Sequence, residues 1–164
     1  MAWTTPKTWN VGEVLTASNM NSQLRDNMNF LHGTTVFAKP TMSAATGGTG
    51  TLIMAGLAVY FTPQTPNGNV RFISNCSITG RSGAAGLRYG TGTAPVNGAA
   101  VTGTDPMNGN INHVGGGGAG CVLVGHATSL ALGVQYWADM VWGDDGAGTS
   151  QALAIVFQVV EENY

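Results

Sequence analysis

Apolar and polar residues along this chain fall into two regimes. Near the start, Ala17, Met20, Leu24, Met28 and Leu31 recur at helical spacing and share one stripe. Thr16 or Ser18 can cap such a helix by accepting a backbone N–H, and Gly33 can close it in a left-handed conformation. The spacing predicts a helix of about four turns, which is marginal alone in water. Its stripe therefore needs a surface: its own β domain, a second copy, or a larger assembly. An a/d register through Ala17, Met20, Leu24, Asn27 and Leu31 puts Asn27 in the seam, where one polar residue can fix register and oligomer state. The other reading leaves Asn27 facing solvent.

Beyond residue 50 the period drops to two. Val134, Tyr136, Ala138, Met140 and Trp142 alternate with Gln135, Trp137, Asp139 and Val141. Leu153, Ile155, Phe157 and Val159 alternate with weaker positions. Both runs predict strands packed on one face, and the intervening GDDGAGTS reads as a hairpin loop. Tyr136 and Trp142 share the expected core face with Met140. Trp137 points the other way, which suits a subunit contact or a sugar-stacking platform. Val156 and Val160 are apolar on the second face of their strand, which predicts burial between subunits.

Leu52 to Phe61 is apolar on both faces, as for one strand covered on both sides. Val70 to Thr79, Gly86 to Tyr89 and Cys121 to His126 read as further strands. Pro63, Pro66 and Asn67-Gly68 supply a turn, and Asn97-Gly98 and Asn108-Gly109 mark later reversals. Roughly seven or eight short strands separated by glycine turns imply a mainly β chain built as a β-sandwich. The expected organisation is an anchor arm and helix over 1–33, a Gly/Thr/Ala linker over 34–50, and the sandwich over 51–164.

Composition sharpens this picture. Twenty-five glycines in 164 residues and only 9% charged residues suggest tight turns and a surface kept wet by Thr, Asn and Ser. A net charge of -2 gives no basic face for nucleic acid. Arg71, Arg81 and Arg88 are the only charges between Lys39 and Asp105; Asp105, Asp139, Asp144, Asp145, Glu161 and Glu162 then follow with no Lys or Arg. These charges read as solvated turns and strand ends, or as early arginines meeting late carboxylates across strands or between subunits. The start MAWTTPKTW lacks a basic end followed by an apolar run, and Leu52 to Phe61 is too short to span a bilayer as a helix. Synthesis in the cytoplasm without membrane insertion is the expectation.

Candidate chemistry is sparse. Cys76 and Cys121 form no CxxC and have no nearby His pair, so buried free thiols are expected, with a single disulfide left open. His32, His113 and His126 share no short spacing, and His126 reads as a packed or capping side chain. No GxSxG, P-loop or HExxH occurs. Asp139 with Glu161 or Glu162 is the one conceivable carboxylate pair for sugar cleavage, and coincidence explains it better. Asp144-Asp145-Gly146 lacks the further oxygen ligands of a calcium loop and reads as a plain turn. No catalytic residue, metal or cofactor is expected.

The series Trp9, Gly12, Glu13, Val14, Thr16, Ala17, Met20, Asn21, Arg25, Asp26, Asn27 and Leu31 resembles a segment found in virion proteins of tailed bacteriophages. A second, weaker resemblance links Arg88 to Thr104 and the final strands to C-terminal domains of phage fibre and decoration proteins. Those are often trimeric, similar in architecture to tumour-necrosis-factor and complement heads. Together the resemblances imply a jelly-roll sandwich, a homotrimer, and a non-enzymatic role in the virion. The implied protein is a head decoration (cement) or head-fibre protein, held to the major capsid protein or another virion protein through Trp3, Trp9, Met20, Leu24, Arg25, Asp26, Asn27 and Leu31. The implied subunit interface is Val156, Val160 and Trp137. The alternative is a short tail fibre or receptor-binding tip that grips a host surface glycan; a polysaccharide-degrading enzyme is a third class.

Overall fold

The computed structural model describes residues 7–25, 36–42, 45–47, 51–79, 83–108, 111–113, 119–144 and 150–162. After a short helix, α1 (Ala17–Met20), the described residues form ten strands: β1 (Val36–Met42), β2 (Ala45–Gly47), β3 (Ile53–Met54), β4 (Val59–Phe61), β5 (Asn69–Thr79), β6 (Gly83–Thr91), β7 (Ile111–His113), β8 (Ala119–Ala127), β9 (Tyr136–Asp144) and β10 (Ser150–Glu162). They form two antiparallel sheets. One runs β1-β10-β5-β8, with β2 also on β10; the other runs β3-β9-β6-β7, with β4 also on β9. The chain is mainly β, and its sheets pack as a β-sandwich.

Alternation sets the inner faces. Val70 and Phe72 on β5, Leu123 on β8 and Phe157 and Val159 on β10 meet Leu87 on β6 and Ala138, Met140 and Trp142 on β9 in one buried cluster. Phe61 lies edge-on to Phe72 at 5.7 Å and stacks on Tyr136 at 5.6 Å, joining the two layers through aromatic contacts.

Several expectations are corrected. β9 and β10 do not form a hairpin: each is a central strand of a different sheet. Period-two alternation identifies an inner face but carries no information about the pairing partner. Residues 145–149 of the expected loop, with Asp145 and Gly146, lie outside the described residues. The 34–50 stretch contains β1 and β2, both paired to β10. Thirteen-residue β10 has a free edge opposite β5, and these strands fill it. Pro40 is tolerated because β1 is paired on one side and its register shifts between Lys39 and Met42.

Leu52 to Phe61 is not one strand. Ala55 to Ala58 bulge out between β3 and β4, because four residues there oppose only Asp139 and Met140 of β9. Gly56 supplies a φ of +69° at the bulge. The cysteines, expected free, are joined as a Cys76–Cys121 disulfide. They sit directly opposite each other in the β5–β8 register, with Cα atoms 5.3 Å apart, inside the usual span of about 4.4–6.8 Å.

Candidate functional site

The segment from Lys7 to Arg25 is ordered by its own side chains. Gly12, at φ +84°, lets the chain reverse so that Glu13 N–H donates to Asn10 C=O at 3.1 Å. The Glu13 carboxylate closes this turn: it accepts from Asn10 N–H at 3.3 Å and pairs with Lys7 Nζ. The Lys7 ammonium beside it, then the Asn10 N–H, hold the Glu13 carboxyl below the usual carboxylate range. Lys7 also lies 5.2 Å from the centre of the Trp9 ring, and its backbone N–H donates to Gln23 Oε1 at 2.7 Å. Thr16 caps α1 through its hydroxyl, which accepts from Asn19 N–H at 3.2 Å. After four α-helical residues the backbone widens into a π-type turn over Asn21–Arg25.

This local frame gives Gly12, Glu13 and Thr16 physical roles. It also presents apolar surface outward: Trp9, Val11, Val14, Leu15, Met20 and Leu24 are all exposed, and α1 buries no residue. Trp9, Glu13, Leu15, Met20 and Leu24 line an open groove of about 300 Å³. Of the expected anchor residues, the structure therefore brings Trp9, Met20 and Leu24 together. Arg25 ends the π-type turn. Trp3, Asp26, Asn27 and Leu31 lie outside the described residues, as do Met28 and Gly33, so the seam position of Asn27 and the helix end do too. Sequence reasoning missed Lys7, Asn10 and Gln23, which carry no pattern of their own.

A second surface lies on the outer face of the β1-β10-β5-β8 sheet. Its rows follow from the register: Val156, Asn75 and Val122; Gln158, Ile73 and Val124; Val160, Arg71 and His126. Val122 and Val124 are exposed, whereas Val156 is half-buried and Val160 is buried. Glu162 Oε1 lies 3.1 Å from Arg71 Nε, and Glu162 Oε2 lies 3.4 Å from His126 Nδ1. In the other sheet Arg88 Nη1 meets Asp105 Oδ2 at 3.2 Å. Two early arginines thus meet late carboxylates within the chain. Val122 and Val124 escaped the sequence reading although CVLVGH is apolar on both faces, a legible signal.

Trp137 does not fit the role expected for it. It points away from the inner core as alternation predicts, yet it is only 3% exposed. It packs with Met54 and Val141, and with Ala58, Ala94 and Ala99. Its Nε1–H donates to Thr91 C=O at 3.1 Å. A side chain buried inside its own subunit offers neither a subunit contact nor a stacking platform.

The candidate acids are committed to backbone. Asp139 Oδ2 and Oδ1 accept from Gly56 N–H at 2.9 Å and Leu57 N–H at 3.1 Å, capping the β3–β4 bulge. Glu161 Oε2 accepts from Gln64 and Thr65 N–H at 3.0 and 2.9 Å. His126 is exposed beside Glu162. Among the described residues no group of three or more His, Cys, Asp or Glu is placed to hold a metal, and no helix is long and apolar enough to cross a membrane. Comparison with known proteins gave no matching family model, no matching curated protein and no matching solved structure.

Proposed function

We propose that this chain is a structural, non-enzymatic component of a tailed-phage virion: a head decoration (cement) or head-fibre protein. Its N-terminal segment docks on the major capsid protein or another virion protein, and its sandwich projects outward as a homotrimer. One observation carries the reading. The Lys7–Arg25 segment is locally ordered yet exposes Trp9, Val11, Val14, Leu15, Met20 and Leu24, while the sandwich core closes without them. Fully burying each large apolar side chain is worth about 1.5–3 kcal/mol, so a surface that covers several of them would bind firmly.

The finer fold reading is a jelly roll. It is supported by the strand orders β1-β10-β5-β8 and β3/β4-β9-β6-β7, which match two interleaved Greek keys. The trimer reading is supported by exposed Val122 and Val124 beside half-buried Val156 and Ile73 on one outer sheet face; Val160, expected in the interface, is buried within its own chain and does not contribute. Burial of Trp137 weighs against the glycan-binding alternative, which loses its aromatic platform.

Deleting residues 1–33 tests the anchor. The truncated chain is expected to stay soluble and β-rich but to leave particles undecorated. Unchanged occupancy would overturn the assignment. Immunogold labelling of intact particles is expected to mark heads; tail labelling would move the protein to a tail fibre.

A further inference from the structure

Glu161 is a carboxylate only 2% exposed, and its two oxygens are treated very differently. Oε2 receives the Gln64 and Thr65 N–H groups. Oε1 is buried without a hydrogen-bond partner, and so is the hydroxyl of Thr65, whose own N–H already touches this carboxylate. Ser74 Oγ and Trp142 Nε1 are also buried and unpartnered, but they are neutral. An unsolvated oxygen on a buried charge is the costlier case.

We infer that a single buried water bridges Glu161 Oε1 and Thr65 Oγ1. Water donates one proton to the carboxylate oxygen and exchanges the second bond with the hydroxyl, so both orphaned atoms are satisfied without a net charge change. Buried waters typically make about three such bonds. A calcium ion instead takes roughly six to eight oxygens. Three carbonyls of the same turn already accept hydrogen bonds: Thr62 from Gln64 Nε2, Pro63 from Gly133 N–H, and Thr65 from Gly68 N–H.

The site has a structural consequence beyond the loop. Glu161 faces inward between Val160 and Glu162, which belong to the outer sheet face. The bridge ties the 62–68 turn to β10 and fixes how those neighbours are presented.

A high-resolution crystal structure of the full chain, grown with EDTA, tests this. The expected result is one ordered water within hydrogen-bond distance of both oxygens. A direct Oε1–Oγ1 bond, or no density between them, would overturn it. So would a peak with short contacts to several oxygens that appears only when calcium replaces EDTA. Water-oxygen magnetic relaxation dispersion gives an independent count of long-lived waters. Thr65→Val is expected to lower that count by one, and Thr65→Ser to preserve it. An unchanged count in a folded Thr65→Val protein would refute the bridge, and if that variant does not fold, the crystal structure of the unaltered chain decides alone.

Discussion

Gly103 shows how narrowly one position can be set. Its φ is +84°, and an added Cβ would lie 2.6 Å from the Trp137 ring and 2.6 Å from Tyr89 O. Gly103→Ala combines backbone strain with overpacking and is expected to cost about 1–3 kcal/mol. A lowered urea midpoint would register it; an unchanged midpoint would mean that the segment around Gly103 does not clamp the indole. The same slot explains what the sequence could not disclose about Trp137. Alternation assigns it to the face opposite Tyr136, but whether that face is covered depends on Gly90, Ala94 and Ala99, which are far away in the chain. Glu13 is the other informative residue. Its carboxyl is held below the usual range by Lys7 and Asn10, so its contribution is present above the ordinary carboxylate value. It is lost as the pH falls through the lower, folded value. Amide shifts of Gly12 and Glu13 followed by NMR are expected to report opening of the turn on acidification. Glu13→Gln should remove that transition while leaving the sandwich signals in place.

Among the elements, the broken β3–β4 strand is the clearest case of an apolar run misleading a reader. The run from Leu52 to Phe61 is apolar on both faces, and Gly56 is its one local sign of a bulge. The bulge is stable because Asp139, on the neighbouring strand, accepts two of its N–H groups. Asp139→Ala is expected to destabilise the fold by about 1.5–3 kcal/mol, the range for hydrogen bonds to a charged group, with a smaller loss for Asp139→Asn. Equal urea midpoints for wild type and alanine variant would show that the bulge holds itself. Strand β8 poses a different question, since it lies at the end of its sheet. Its disulfide to β5 spans 45 residues, and closing a loop of that length is worth about 4 kcal/mol in the chain-entropy account. Reduction is therefore expected to lower Tm substantially, and the Cys76→Ser/Cys121→Ser double variant to match the reduced protein. Neither cysteine could be paired from sequence, because only the strand register brings them together.

For the whole molecule, the β class, the two-layer packing and most strand positions were legible in alternation and glycine turns. The pairing was not, because β1 meets β10 across nearly the full chain and no local pattern encodes such a partner. Of the apolar residues in the proposed anchor, Trp9, Met20 and Leu24 gather at one groove, while the internal ties through Lys7 and Gln23 became visible only in three dimensions. The proposed trimer is best tested on the face that sequence reasoning underrated. Val122→Asp with Val124→Asp is expected to give a folded monomer by sedimentation, with an unchanged β spectrum. A trimer that survives both charges would move the interface elsewhere.

The position of β10 reaches back to how the protein is made. Ser150–Glu162 lies inside its sheet, between β1 and β5, yet it is synthesised after every other described strand. Until it emerges, the flanking strands have no shared partner, and Val70 and Phe72 remain open to water or to other nascent chains. Pairings so distant in sequence also make folding slow. A chain truncated near residue 149 should therefore be protease-sensitive and bound by holding chaperones, with protection arriving abruptly once the thirteen residues of β10 are present.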